Sequence, residues 1–203
     1  MLSLIKKLNS LLIKRLSGRC FYQLRHIRRS LNISSTKTLV NAFVASRVDY
    51  CNSVFSGTGA VHLRPNQFVL NAAACLIVRK RKYDEITSTI KDDLHWLPVW
   101  QRLEYKICVL VYKCLHLSAP SYLSSMCANV GTIEGRRHLR SAAHGDLIVP
   151  RTTNKTYGPR SFAVFGPSTW NSLSLSSRAL DLTLPAFKKV LKTELFCRAY
   201  TMT

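Results

Sequence analysis

The one Asp–Asp pair in the chain is Asp92-Asp93, and paired carboxylates are the groups that hold divalent cations for phosphoryl or nucleotidyl transfer. That chemistry needs a turn that aims the pair at a further acid. Ile90-Lys91 before it and Leu94-His95-Trp96 after it form no hairpin pattern, so the pair reads as surface charge. Zinc is the next chemistry to weigh. Cys127, His138 and His144 follow Cys114 at a long interval, whereas structural zinc needs a tight Cys-x-x-Cys or comparable pair to fix two ligands early. None exists in the sequence, nor does a Gly-rich phosphate loop or a local signature for a cysteine nucleophile. No cofactor, metal or small-molecule substrate is implied.

Binding chemistry is better supplied. The 203 residues carry 30 Lys and Arg against 10 Asp and Glu, a net charge of +20, and Asp49 is the first acidic residue. A field of that sign draws polyanions. Its sources are clustered: Arg25, Arg28 and Arg29; then Arg79-Lys80-Arg81-Lys82; then Arg136-Arg137 with Arg140. Helix positions three and four apart share a face, so Arg25, Arg28 and Arg29 are expected to set guanidinium groups in a row against phosphates. Phe21 and Tyr22 among them could stack on bases, although core packing is the more ordinary use of such rings. The plain alternative for all three clusters is a set of solvated helix faces.

The elements that must position these residues read as mainly α-helical. Ser34 and Ser35 are expected to cap a helix carrying Leu39, Val40, Phe43, Val44 and Val48, which Gly57 and Gly59 close. Pro65 suits the first turn of a second, with Phe68, Val69, Ala72, Ala73, Leu76 and Ile77 as its apolar run. After a short helix from Asp84, Pro98 opens the strongest one, in which Leu103, Ile107, Leu110, Val111, Cys114 and Leu115 recur at helical spacing. Pro120 then suits the start of a short helix. Residues 129–160, rich in Gly, Thr, Arg and Asn, read as a loop or linker with a short strand near 146–150, and 161–165 as another strand. Trp170 anchors a compact segment through Leu175, and a last helix has Thr183 as cap, Pro185 in its first turn, and Phe187, Val190, Leu191, Leu195 and Phe196 buried. The expected organisation is a helical domain over 1–128, the linker 129–160, and an irregular or β-containing appendage over 161–203 that ends in a helix. Seven cysteines, mostly within apolar helical patterns, read as reduced thiols of an intracellular protein, nuclear or cytoplasmic.

Five blocks in order carry a resemblance: Ser46-Arg47-Val48-Asp49-Tyr50-Cys51-Asn52; Asn71-Ala72-Ala73-Ala74 followed by Arg81-Lys82-Tyr83-Asp84; Leu94-His95-Trp96-Leu97-Pro98 running on to Ile107; Lys155-Thr156-Tyr157-Gly158 with Arg160-Ser161-Phe162; and Trp170-Asn171-Ser172-Leu173. Together with the last helix they resemble the region downstream of the polymerase core in LINE-type, jockey-like non-LTR retrotransposon reverse transcriptases. The resemblance implies that 1–128 includes part of a thumb-like element that packs on nucleic acid, and that the palm and its aromatic-Ala-Asp-Asp motif belong upstream of Met1. It implies no catalysis by this chain alone and non-specific RNA or DNA as the partner. Three positions depart from the family pattern: Leu70 and Cys75 stand where Gln and Arg are common, and Ser174 where Pro is.

The first sixteen residues support a different reading. Leu4, Ile5, Leu8, Leu11, Leu12 and Leu16 form a stripe with Lys6, Lys7, Lys14 and Arg15 largely off it, as in a mitochondrial presequence or a membrane-surface helix. The stretch is too short and too interrupted by lysine to span a membrane. A small basic mitochondrial protein, or a relic reading frame, are the alternatives to a retrotransposon segment.

Overall fold

A computed structural model describes residues 18–50, 52–81, 84–133, 135, 144–154, 157–179 and 181–200. The amphipathic stretch before Gly18, together with Lys82, Arg136, Arg137 and Arg140, lies outside the described residues. The fold is mainly α, and the described residues hold no strand beyond one isolated antiparallel bridge, Asn129 to Leu147. None of their helices is long and apolar enough to cross a membrane.

The chain divides into two compact units, and the division falls inside a helix. One unit takes in the chain up to Phe55 and Gly59–Arg102; the other takes in Ser56–Thr58 and everything from Leu103. This replaces the expected boundary at 128. The reason lies in helix α4 (Val99–Leu115), whose residues beyond Arg102 form a core with the C-terminal helices that composition had suggested were an appendage.

In the first unit, α1 (18–27) buries Cys20 and Leu24, and the same stripe continues one turn on to Arg28. Asn32, not Ser34 or Ser35, caps α2 (Ile33–Val40): its Oδ1 accepts from the Ser35 N–H at 2.7 Å, the usual N-cap bond. The helix runs on through a wider turn, Asn41–Ala45, and a last turn, Ser46–Asp49, burying Val40, Val44 and Val48. Helix α3 (Arg64–Val78) has Pro65 in its first turn as expected, and packs on α2. Its core stripe is Leu70, Ala73, Ala74 and Ile77, at helical spacing i, i+3, i+4 and i+7. Phe68 precedes Leu70 by two residues, which at about 100° per residue turns it to the opposite side. It is 72% exposed, so the expected apolar run was read one face too wide.

In the second unit, α4 buries Leu103, Ile107, Cys108, Val111, Tyr112 and Cys114, while Leu110 and Leu115 are only half-buried. Helix α5 (Phe162–Asn171) occupies the stretch expected to begin as a strand. Gly166 allows it to approach α4 closely, since a Cβ there would lie 3.2 Å from Val111 Cγ2. Helix α6 (Leu184–Tyr200) buries Phe187, Leu191 and Leu195, with the Phe187 ring stacked on Tyr112 at 4.5 Å and tilted against Trp170 at 5.7 Å. The strand expected at 146–150 is an extended segment paired for one residue only. Its Leu147 bridges to Asn129 and exchanges two 2.8 Å hydrogen bonds with the Asn171 side-chain amide, which takes the place a second strand would have held.

Candidate nucleic-acid interface

Two of the basic clusters converge. Arg25, Arg28 and Arg29 from the end of α1 meet Arg79 and Lys80 from the end of α3 around a cleft of about 350 Å³, floored by Ala72, Cys75 and Leu76. Among the described residues no carboxylate lines it. The five cations do not play one role.

Arg28 is 6% exposed, because it occupies the third position of the α1 core stripe after Cys20 and Leu24. Its guanidinium donates to Leu76 O at 3.0 Å, Ile77 O at 2.6 Å and Leu31 O at 2.8 Å. Leu76 and Ile77 lie in the last turn of α3, where carbonyls lack intrahelical partners and carry the negative end of the helix dipole. Burial, then the charge of Arg79, lowers the Arg28 pKa from its ordinary value. The expected row of three phosphate-facing arginines is thereby corrected: Arg28 closes the end of α3, and Arg25 and Arg29 remain exposed with no hydrogen bond or ion pair to the described residues.

Arg79 ends α3 in the left-handed region, φ 59°, and its backbone N–H and that of Lys80 both bond to Cys75 O. Glycine is the usual residue at such a cap, and another side chain there costs about 1–2 kcal/mol. An arginine held there places its side chain at the rim of the cleft, with one N–H directed to Arg28 O at 3.4 Å. Lys80 Nζ donates to Glu85 O at 2.9 Å and to Thr89 Oγ1 at 3.1 Å, neither of which neutralises it. Arg81 lies outside the cleft lining; its backbone N–H bonds to Asp84 Oδ2 at 2.7 Å and fixes the adjoining turn. Cys75, on the floor, has its thiol pKa raised by burial and by Asp84, which keeps it protonated.

Asp92 and Asp93 are exposed at the end of the helical turn Thr89–Asp93. Among the described residues no three or more His, Cys, Asp or Glu side chains are grouped to hold a metal ion. Cys20, Cys75, Cys108, Cys114 and Cys127 are free and buried, and Cys197 is free and exposed. Burial, with Cys114 alongside, pushes the Cys127 thiol up to about 12.

The sequence blocks also meet at specific bonds. Arg102 donates to Leu97 O at 2.8 Å, lies 5.6 Å over the Trp96 ring and pairs with Asp49 at 2.9 Å, joining the Trp96-Leu97-Pro98 block to Arg47-Val48-Asp49. Gln67 accepts from the Val99 N–H at 2.9 Å and donates to Asn71 at 2.8 Å, which brings the Asn71-Ala72-Ala73-Ala74 block to the start of α4. Leu70, where Gln is common in the resembling proteins, is fully buried. Ser174, where Pro is common, donates both its N–H and its hydroxyl to Glu194 at 2.9 Å, a pair of bonds proline could not make.

No protein-family model, curated protein or solved structure matches the chain. Sequence reading missed Phe68, which is 72% exposed and lines a neighbouring cleft with Phe21, although pattern alone placed it in the apolar run; Tyr22, weighed as a stacking ring, is 68% exposed and packs edge-on against His26. The usable signal was the stripe itself, because Cys20-Leu24 and Leu70-Ala73-Ala74-Ile77 each define a buried face that excludes these rings.

Proposed function

We propose that this chain is the post-palm region of a LINE-type, jockey-like non-LTR reverse transcriptase, that it performs no polymerisation by itself, and that it binds RNA or DNA without sequence selection. The observation that carries the binding reading is the convergence of Arg25, Arg29, Arg79 and Lys80 from two separate sequence clusters into one cleft that no carboxylate lines among the described residues. Fixed cations at suitable spacing are all that phosphate contact requires, and such contact positions a polyanion without reading its bases. The family reading rests on the ordered blocks and on the way Asp49, Gln67, Asn71 and Arg102 tie three of them together. An intracellular setting, nuclear or cytoplasmic, goes with free thiols and a nucleic-acid partner.

The test is a titration of labelled duplex and single-stranded oligonucleotides across salt. Each phosphate contact adds about 0.9 to the log–log slope on duplex DNA, so replacing Arg25, Arg29 and Arg79 together with Ala should flatten it by about 2.7 and weaken all sequences alike. Undetectable binding at low salt, or an unchanged slope, overturns the reading. Nucleotide incorporation on a primed RNA template with magnesium, lost in Asp92→Ala, would overturn the non-catalytic part.

A further inference from the structure

The basic cleft adjoins another along the same pair of helices. A second cleft of about 380 Å³ is lined by Gly18, Phe21, Val61, Arg64, Phe68 and Val69 among others, and it shares Ala72 with the first. The start of α1 lies by the start of α3, and Arg28 at the end of α1 bonds to the end of α3, so the two helices run in the same direction with the groove between them. One half presents Phe21 and Phe68; the next presents Arg25, Arg29, Arg79 and Lys80. Each half is of the size that takes a small-molecule-sized group.

We infer that this groove holds an unpaired stretch of RNA or DNA, with bases against Phe68 and Phe21 and the neighbouring phosphates on the four cations. The inference rests on the nucleic-acid reading and narrows it. A duplex offers its phosphates to any basic surface but keeps its base faces inside the stack; a single strand offers both, and an aromatic wall beside a cationic one matches that order. Phe68 has no core to serve, since Leu70, Ala73, Ala74 and Ile77 face the core of the unit and its own ring is 72% exposed. The cations argue against a plain apolar partner, which would leave four unneutralised charges at its edge.

The decisive comparison uses the full chain, a fluorescent single-stranded 20-mer and an abasic 20-mer with the same phosphates but no bases. Wild type should bind the base-bearing strand more tightly. Phe68→Ala should weaken that strand about 5- to 150-fold, the range for one lost stacked base, bringing it toward the abasic one, whose affinity stays unchanged. Phe68→Trp should keep the preference. Equal wild-type affinity for the two strands, an equal loss on both in Phe68→Ala, or no effect on either overturns the inference; the last is the result expected if a protein segment covers the aromatic half. These outcomes leave the charge reading standing, because that reading fails on other results: no binding at low salt, or a salt slope that Arg25→Ala, Arg29→Ala and Arg79→Ala together leave unchanged. Since the Phe68 ring is exposed, an unchanged thermal midpoint in both variants confirms that binding and not folding has been altered.

Discussion

Arg28 holds a place in its helix stripe where a leucine would ordinarily sit, and its burial is tolerated because three of its N–H groups bond to carbonyls that would otherwise be unsatisfied. Its neighbours Arg25 and Arg29 lie off that stripe, so three arginines within five residues divide into one that serves the fold and two that stay exposed at the cleft. Removing the buried one strands Leu76 O and Ile77 O. Arg28→Ala should lower stability by about 1–3 kcal/mol, read from a denaturant midpoint, while Arg25→Ala and Arg29→Ala leave it unchanged. Lysine would not restore it, because an ammonium cannot reproduce the planar fork. Arg79 should behave in the opposite way. Arg79→Gly relieves a left-handed residue and should be neutral to about 1 kcal/mol stabilising, yet on the proposed binding it should remove one phosphate contact and lower the salt slope by about 0.9. Loss of stability together with unchanged binding would assign Arg79 to the fold as well.

At the scale of elements, helix punctuation was legible wherever a residue's covalent geometry dictates it. Pro65, Pro98 and Pro120 stand at or just before helix starts, and Phe187 N–H bonds back to Thr183 O where the last helix was expected to begin. Periodicity located faces less well, because Leu110 and Leu115 flank the buried stripe Leu103, Ile107, Val111 and Cys114 and an apolar residue at the edge of a stripe reads like one at its centre. Leu103 and Leu110 separate the two readings: Leu103→Ala, at a fully buried site, should cost about 2–5 kcal/mol, and Leu110→Ala, half-buried, distinctly less. The expected strand at 161–165 is the first part of α5 instead, where the Phe162 ring packs one turn on against Gly166, which also faces Val111 of α4. The clasp between α6 and the turn Leu175–Arg178 was not legible at all, as it joins Glu194 to Ser174 and Ser177 across the sequence. Burial opposes ionisation of Glu194, but the hydrogen bonds from Ser177 and Ser174 and the charge of Arg198 outweigh it and lower its pKa. The folded value therefore lies below the unfolded one, so the stabilisation is complete above the ordinary glutamate pKa of about 4.3 and is lost as pH falls through the lower native value. Glu194→Gln should remove that part of the acid limb in a plot of unfolding midpoint against pH, and an unaltered limb would place the acid sensitivity elsewhere.

For the whole molecule, charge acts in two opposed directions. Ion pairs such as Arg102–Asp49, Arg178–Asp146 and Arg198–Glu194 stand against a net charge of +20. So large an excess destabilises the compact state through self-repulsion, and salt relieves it, since the screening length falls to about 10 Å at 0.1 M and about 3 Å at 1 M. The thermal midpoint should therefore rise with sodium chloride. Nucleic-acid affinity should fall over the same range, because counterion release drives it. A polyanion that binds the native state should raise the midpoint at low salt, by about 2.7 kcal/mol of stability when free ligand stands at 100 times its Kd, and that increment should vanish as salt rises. Thermal melts at several salt concentrations, each with and without a single-stranded oligonucleotide, measure both trends in one series. A midpoint that falls with salt in the absence of ligand would mean that such ion pairs and the cation-to-carbonyl bonds outweigh the repulsion. The positive surface would then be a stabilised part of the fold, with less free energy released when a polyanion neutralises it.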